Sequence, residues 1–350
     1  MKKISVVVPC YNAADCLPRC MEHILKQTIG IENIEIILVD DASTDDGATL
    51  ALLMAYERKY PDFIMVIPLE QNMRQGGARN IGISYATGEY LMFCDADDWL
   101  AYRAMEILYH TAVEYDADVV EYRYKVVTDD SITGEKLEQG NSSYLKPLDD
   151  KEIKRKTLMA STDDFSLGCM RKFYRMSLIK ENDIRFAQHL ICEEPSFTLP
   201  VRLYEKKHVF ADAVLYYYLQ TQNSTVHREW DAHKWDNAKV WLLLMEDLQK
   251  RGFFEYYREE LECMFYDWGF GLSISMLIQK GYTLTVEEMK FLKDMLLHLF
   301  PDILQNSYIM EKDDELDMIL KTILKVELTE GNVMGLNQAL KKYLCVGKVV

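Results

Sequence analysis

Three carboxylates follow a run of apolar residues in "YLMFCDADDW" (90–99), where Asp95, Asp97 and Asp98 fall within one turn. Like charges this close repel, so a cation that offsets them is the chemistry such a cluster implies. Carboxylates two residues apart at a strand tip suit the oxygen-ligand sites of Mg²⁺ or Mn²⁺. A helix cap needs one acceptor, so capping by Asp98 would leave Asp95 and Asp97 unexplained. Two other apolar runs also end in polar groups. "ISVVVPCYN" closes on Pro9, Tyr11 and Asn12, and "IEIILVDDASTDDG" on Asp40 and Asp41, with Ser43 or Asp45 placed to cap a helix after Gly47.

Competing motifs fail on spacing. "DADDWLAYRAME" lacks the glycine an EF-hand loop needs at its sixth position, and "DDASTDDGATLA" has its glycine too late, at the eighth. "QGGARN" is neither GxGxxG nor a Walker loop.

The elements that must position these groups read as a parallel α/β sheet. "ISVVVP" (4–9), "IEIILVD" (34–40), "FIMVIP" (63–68) and "YLMFCD" (90–95) are nearly continuous apolar runs, as strands covered on both faces are. Helix-like segments at 14–28, 47–59 and 76–86 separate them. Ligands of such sheets sit beyond the carboxyl ends of the strands, where the three polar tips converge. A further helix at 101–115 leads to "DADVVEYRYKVV", whose later alternation suggests an antiparallel ribbon. Residues 130–165 read as a polar loop or hairpin excursion, and 211–225 as an edge strand running into a loop.

After about residue 230 the periodicity becomes helical. Trp235, Ala238, Trp241, Leu242, Met245 and Leu248 share a face that ends at Gly252. Tyr257, Leu261, Met264, Phe265 and Trp268 form a second face, stopped by Gly269. A third helix opens on a Thr285–Glu288 capping box and ends before Pro301.

At 350 residues and 49% hydrophobic content the chain can bury two cores, read as 1–225 and 226–350. The net charge of −16 speaks against a nucleic-acid partner, which needs a basic face, but not against small phosphorylated ligands carried with a divalent cation. The eight cysteines form no CxxC pair and read as reduced thiols of a cytoplasmic protein. The basic N-terminus is followed by too short an apolar run for a signal peptide, and no window approaches a membrane span. Membrane contact is therefore expected to be peripheral at most.

"VVVPCYNAADCLPRCMEHILKQT", "IEIILVDDASTDDG" and "GGARNIGISYATGEYLMFCDADDW", in this order, resemble the motifs of family 2 glycosyltransferases of the GT-A fold. The likeness covers roughly residues 3–225, with the later "KFYRMSLIKENDIRF" and "ICEEPSF". It implies an α/β, Rossmann-like and mostly parallel sheet flanked by helices, followed here by a smaller all-α domain. It also implies an inverting transfer from a nucleotide-diphosphate sugar to a hydroxyl of a glycan, lipid-linked or other acceptor. Carried over by position, Pro9, Tyr11, Asn12 and Asp40 hold the nucleoside. The Asp40 carboxylate accepts from a pyrimidine N–H, which favours a UDP-sugar. Arg79 lies near the donor phosphates. Asp95 and Asp97 form the DxD pair for Mn²⁺ or Mg²⁺, Asp97 reaching the metal and Asp95 the ribose or sugar, and Asp98 borders the donor sugar. The general base is the second acid of Glu193–Glu194, hence Glu194. His227 is a further candidate for the metal or phosphates, weighed against a solvated loop histidine. Where the family often carries arginines, this chain has Leu219 and Thr221. Two other readings stand beside the transferase: a catalytically silent scaffold or glycan-binding relative, and a sugar nucleotidyltransferase. The latter usually opens with a Gly-rich basic loop where this chain has "PCYNAAD".

Overall fold

The computed structural model describes residues 2–128, 143–159, 166–220 and 233–346. They belong to two compact units, Met1–Glu229 and Trp230–Val350.

The first unit is built on β1 (Ile4–Cys10), α1 (Leu17–Leu25), β2 (Ile34–Asp40), α2 (Ala48–Lys59), β3 (Ile64–Pro68), α3 (Arg74–Tyr85) and β4 (Tyr90–Phe93). The four strands are parallel in the order β3-β2-β1-β4, with Cys10 opposite Asp40 and Val7 opposite Phe93. Every residue of β1 is buried, because alternate side chains enter different cores. Val6 and Val8 pack with Leu17, Met21 and Ile24 of α1, whereas Val7 packs with Ala78 and Ile83 of α3. Gly82 lets α3 lie against β1, since a Cβ there would overlap the Val7 side chain.

The remaining strands add short antiparallel pairings and make the sheet mixed. β5 (Trp99–Leu100), α4 (Ala104–Tyr115), β6 (Val119–Val127), β7 (Tyr144–Pro147), α5 (Lys151–Met159), β8 (Lys172–Arg175), α6 (Met176–Glu181), α7 (Pro195–Tyr204) and β9 (Lys207–Leu219) follow in the chain. β8 is antiparallel to both β4 and β6, and β9 runs parallel to β6. The expected ribbon at 116–127 is thus a strand that is inner and buried over Val119–Tyr122 and largely exposed beyond, where, among the described residues, only β9 pairs with it. The expected edge strand, β9, carries β6 on one side and β5 and β7 on the other. Within the expected excursion at 130–165, β7 and α5 are regular structure.

Charge is buried in this half of the unit. Glu121 of β6 is fully buried, with Arg171 at 2.9 Å, Lys172 at 3.5 Å and His208 at 3.4 Å. Glu205 pairs with Arg202 of α7 at 2.5 Å and with His208 at 3.0 Å. Burial alone would raise the Glu121 carboxyl, but Lys172, His208 and Arg171 bring it down to about 2. Glu205 is lowered against the same burial cost by His208 and Arg202.

The second unit is helical: α8 (Asp236–Lys250), α9 (Arg258–Met264), a π-helical turn Phe265–Gly271, α10 (Leu272–Gln279), α11 (Val286–Leu299), α12 (Ser307–Met310), α13 (Glu315–Lys325) and α14 (Glu330–Val346). Thr285 and Glu288 form the expected capping box of α11. On α8 it is Leu244, not Leu242, that completes the buried face. Gly269 does not end its helix. A Cβ there would come 3.1 Å from Trp241 Cβ, so the glycine permits close packing within a helix that runs on into α10. Asn237 Nδ2 donates to the Trp268 carbonyl in the wide turn and to Ser273 Oγ.

Candidate active site

The strand order reverses between β1 and β4, the point where open α/β sheets form a crevice. On one side lie the ends of β1 and β2. Asn12 adopts φ 51° just past β1, and its backbone N–H donates to Ser43 Oγ at 2.9 Å. Its Oδ1 accepts from the Thr44 N–H at 2.7 Å. Ser43 Oγ in turn donates to Asp40 Oδ1 at 2.5 Å. A short hydrogen-bonded chain therefore couples Asn12 to Asp40, which is itself buried. Pro9 is buried within β1, and the Tyr11 ring is exposed. Asp41 turns away to accept from the Met73 N–H at 2.6 Å, and burial pushes its carboxyl up to about 6. Asp45, not Ser43, serves the start of α2, accepting from the Thr49 N–H and hydroxyl.

On the other side are the carboxylates after β4. Arg79 of α3 is 1% exposed, and its two terminal nitrogens are already engaged. Nη2 donates to Asp95 Oδ1 at 3.0 Å and Nη1 to Glu193 Oε1 at 2.5 Å. Arg79, expected near the donor phosphates, ties α3 to the β4 tip and to the start of α7. Asp97 differs from Asp95: its side chain reaches solvent, and its carboxylate accepts from its own backbone N–H rather than from an arginine. Its backbone carbonyl accepts from Arg19 Nη2 at 2.7 Å, with the Arg19 guanidinium stacked 4.1 Å from the Trp99 ring. The protein around the turn withdraws water, and Asp95 adds repulsion, so the Asp97 carboxyl rises to about 6.

Asp98, expected beside the donor sugar, does not cap α4. It is buried, accepts from the Tyr216 hydroxyl at 2.6 Å and from the Leu219 N–H at 2.8 Å, and so fastens the end of β9. Burial, then Asp95 and Asp97, drive its carboxyl up to about 8. The two acids before Pro195 also part company. Glu193 is buried against Arg79, with its carboxyl raised to about 7 by burial and by Glu194 despite that arginine. Glu194 remains partly exposed, and its Oε1 accepts from the Cys169 N–H at 3.4 Å and thiol at 3.8 Å.

Tyr216, Cys169 and Arg19 are functional neighbours that sequence reasoning passed over. Tyr216 lay hidden in a run of three tyrosines that otherwise serves as core. His227 and Thr221 lie outside the described residues.

Among the described residues, no group of three or more His, Cys, Asp or Glu side chains could cage a metal on its own. A Mg²⁺- or Mn²⁺-type ion takes one or two carboxylates and completes its shell with phosphate oxygens and water. Asp97, exposed to solvent, and Asp95, with one oxygen left by Arg79, fit that donor set.

The family described as Glycosyl transferase family 2 matches residues 5–177, which contain β1 to β8 and every acid of the β4 turn. This part of the chain belongs to glycosyl transferase family 2. The glycosyltransferase domain is 31% identical over 218 residues to the poly(ribitol-phosphate) beta-glucosyltransferase of Bacillus spizizenii, covering 62% of this chain and 32% of that one. It is 28% identical over 219 residues to the poly(ribitol-phosphate) beta-N-acetylglucosaminyltransferase TarP of Staphylococcus aureus, covering 62% of each. The chain thus spans only 32% of the Bacillus relative and 33% of the glycosyltransferase GlyA of Streptococcus pneumoniae. In fold it is similar to TarS 1–349 of S. aureus, solved with UDP-GlcNAc, at a TM-score of 0.68 and 20% identity over 99% of this chain and 92% of that one. Among the described residues, no helix is long and apolar enough to cross a membrane.

Proposed function

We propose that this glycosyltransferase transfers a sugar, with inversion, from a UDP-sugar to a hydroxyl of a glycan or polyol polymer. The observation that carries the reading is the acid excess at the switch point. Asp95, Glu193 and Glu194 face the Arg79 guanidinium, Asp97 and Asp98 follow Asp95 in the same turn, and Asp97, Asp98 and Glu193 have carboxyls raised by burial and mutual repulsion. Such a site favours a bound cation and the anion that travels with it.

Asp40, positioned through Ser43 and Asn12, accepts from the N3–H of a uracil ring, with Pro9 and Tyr11 beside it. Asp97 and Asp95 hold Mn²⁺ or Mg²⁺, which when bound supplies positive charge to the departing diphosphate. Arg79 keeps Asp95 in place and orients Glu193 next to the base. Glu194 has an oxygen left over from Cys169 and takes the proton of the acceptor hydroxyl as it attacks. Named relatives act on poly(ribitol phosphate), which supports a hydroxyl-rich polymer as acceptor. A cytoplasmic setting, at most peripheral to the membrane, agrees with thiols that are free throughout the described residues.

Calorimetry with UDP, GDP and ADP in Mn²⁺ tests the donor reading. UDP should bind tightest, by about 1–3 kcal/mol, the scale of one buried hydrogen bond left unmade. A preference for GDP would overturn it. Asp97→Ala should remove the metal-supported part of UDP binding, and full transfer by that variant in EDTA would refute the metal.

A further inference from the structure

Asp95 and Asp97 repel each other and project from a four-residue turn, so something else must hold that backbone in place. The turn closes on itself through the Asp98 N–H, which donates to the Asp95 carbonyl at 3.1 Å. Arg79 holds the Asp95 carboxylate and Arg19 the Asp97 carbonyl, and a further restraint comes from β9, more than a hundred residues later. The Asp95 N–H donates to the Tyr216 hydroxyl at 3.2 Å. That hydroxyl donates to Asp98 Oδ2 at 2.6 Å, and the Leu219 N–H donates to Asp98 Oδ1 at 2.8 Å. Both ends of the acidic turn are thereby bonded to one strand.

Tyr216 and Asp98 are 2% and 1% exposed, so neither has water as an alternative partner. Burying a carboxylate and a phenol costs more than burying a Leu and a Phe of similar volume, unless the polar pair fixes a geometry the apolar pair cannot. What it fixes here is the main chain at Asp95. The phenol oxygen sits on the N–H of that residue, one bond from the Cα that carries the carboxylate.

We infer that Tyr216 and Asp98 form a latch that positions the Asp95–Asp97 carboxylates for the divalent cation accompanying the donor diphosphate. They are positioning residues, not ligands, and the inference rests on the metal reading given above. Groups that orient metal ligands in this way typically change metal affinity by about 10- to 100-fold when removed.

The experiment measures UDP affinity by calorimetry twice for each protein, in Mn²⁺ and in EDTA. The EDTA value reports the nucleoside side at β1 and β2, which Tyr216 does not touch. The ratio of the two reports the carboxylates. Tyr216→Phe keeps the ring and removes the oxygen; the expected result is an unchanged EDTA affinity and a Mn²⁺ ratio reduced about tenfold or more. Asp98→Asn keeps the shape and is expected to lower the ratio less, and it serves alone if Tyr216→Phe fails to fold. A folded variant whose Mn²⁺ ratio matches the wild type overturns the latch, as does a parallel loss in Mn²⁺ and EDTA, which marks a purely structural pair. A wild type that binds UDP equally in Mn²⁺ and EDTA overturns the metal reading itself, and the latch with it.

Discussion

At the carboxyl edge of the sheet, Asp95, Glu193 and Glu194 face one buried guanidinium, Arg79, with Asp97 and Asp98 following Asp95 in its turn, whereas in the β6–β9 half Glu121 and Glu205 share Arg171, Lys172, Arg202 and His208. Burial acts on both groups in the same sense, yet the outcomes are opposite. Asp97, Glu193 and Asp98 are pushed up to about 6, 7 and 8, while Glu121 falls to about 2. The second group contains its own counter-charge and is complete within the chain. The first lacks positive charge, and folding alone does not supply it. A buried acid with a lowered pKa here marks architecture, and one with a raised pKa marks a place where something else binds.

The sharpest way to break this comparison is to remove one acid from each group. Glu194→Gln should lower sugar transfer roughly 10²- to 10⁴-fold, the usual scale of a lost general base, and leave UDP affinity in calorimetry unmoved. If Glu193→Gln is the inactive variant instead, the roles of the pair are reversed.

Glu121→Ala should do the converse. Leaving Arg171, Lys172 and His208 without their buried partner costs about 3–5 kcal/mol, read as a shifted urea midpoint. The folded fraction should retain its KM for the donor. A Glu121→Ala protein of wild-type stability but without activity would erase the distinction between the two groups.

A smaller effect separates them by pH. The front acids have folded pKa values above their unfolded ones, so their stabilisation is present below about pH 4 and is lost as pH rises through 6 to 8. Glu121 is the reverse, its contribution present above about 4.5 and lost as pH falls towards 2. His208, raised by Glu205 and Glu121 against its burial, is also lost on the alkaline side. Asp98→Asn isolates the front. It should flatten the decline in melting temperature between pH 6 and 8 without altering the acid limb. An identical profile for variant and wild type would show that Asp98 does not contribute to the alkaline limb.

The parallel half of the fold was legible because strands buried on both faces write themselves as continuous apolar runs. β6 and β9 were harder to read, since "YRYKVV" alternates as any half-exposed strand does and its pairing partners lie far along the chain. The acids of the site announced themselves by type and spacing. Their division of labour did not, because it depends on contacts at long range: Arg79 with Glu193 across 114 residues, and Asp98 with Tyr216 across 118. No local pattern distinguishes an exposed Asp97 from a sealed Asp98 one residue later.

The π-helical turn at Phe265–Gly271 acts on its neighbours as a phase setting. Each residue of an α-helix advances the azimuth by about 100°, so the extra residue in a wide turn rotates everything downstream relative to everything upstream. Ile274, Leu277 and Ile278 of α10 are buried at the azimuth this offset produces. Deleting one residue between 265 and 271 would remove the wide turn, restore regular winding and leave that apolar stripe facing the core. Deleting Leu272 instead, with the wide turn kept, would swing the stripe by about 100°. In this helix, residue count is therefore an angular coordinate, and Gly269, against Trp241, is the position about which it is set.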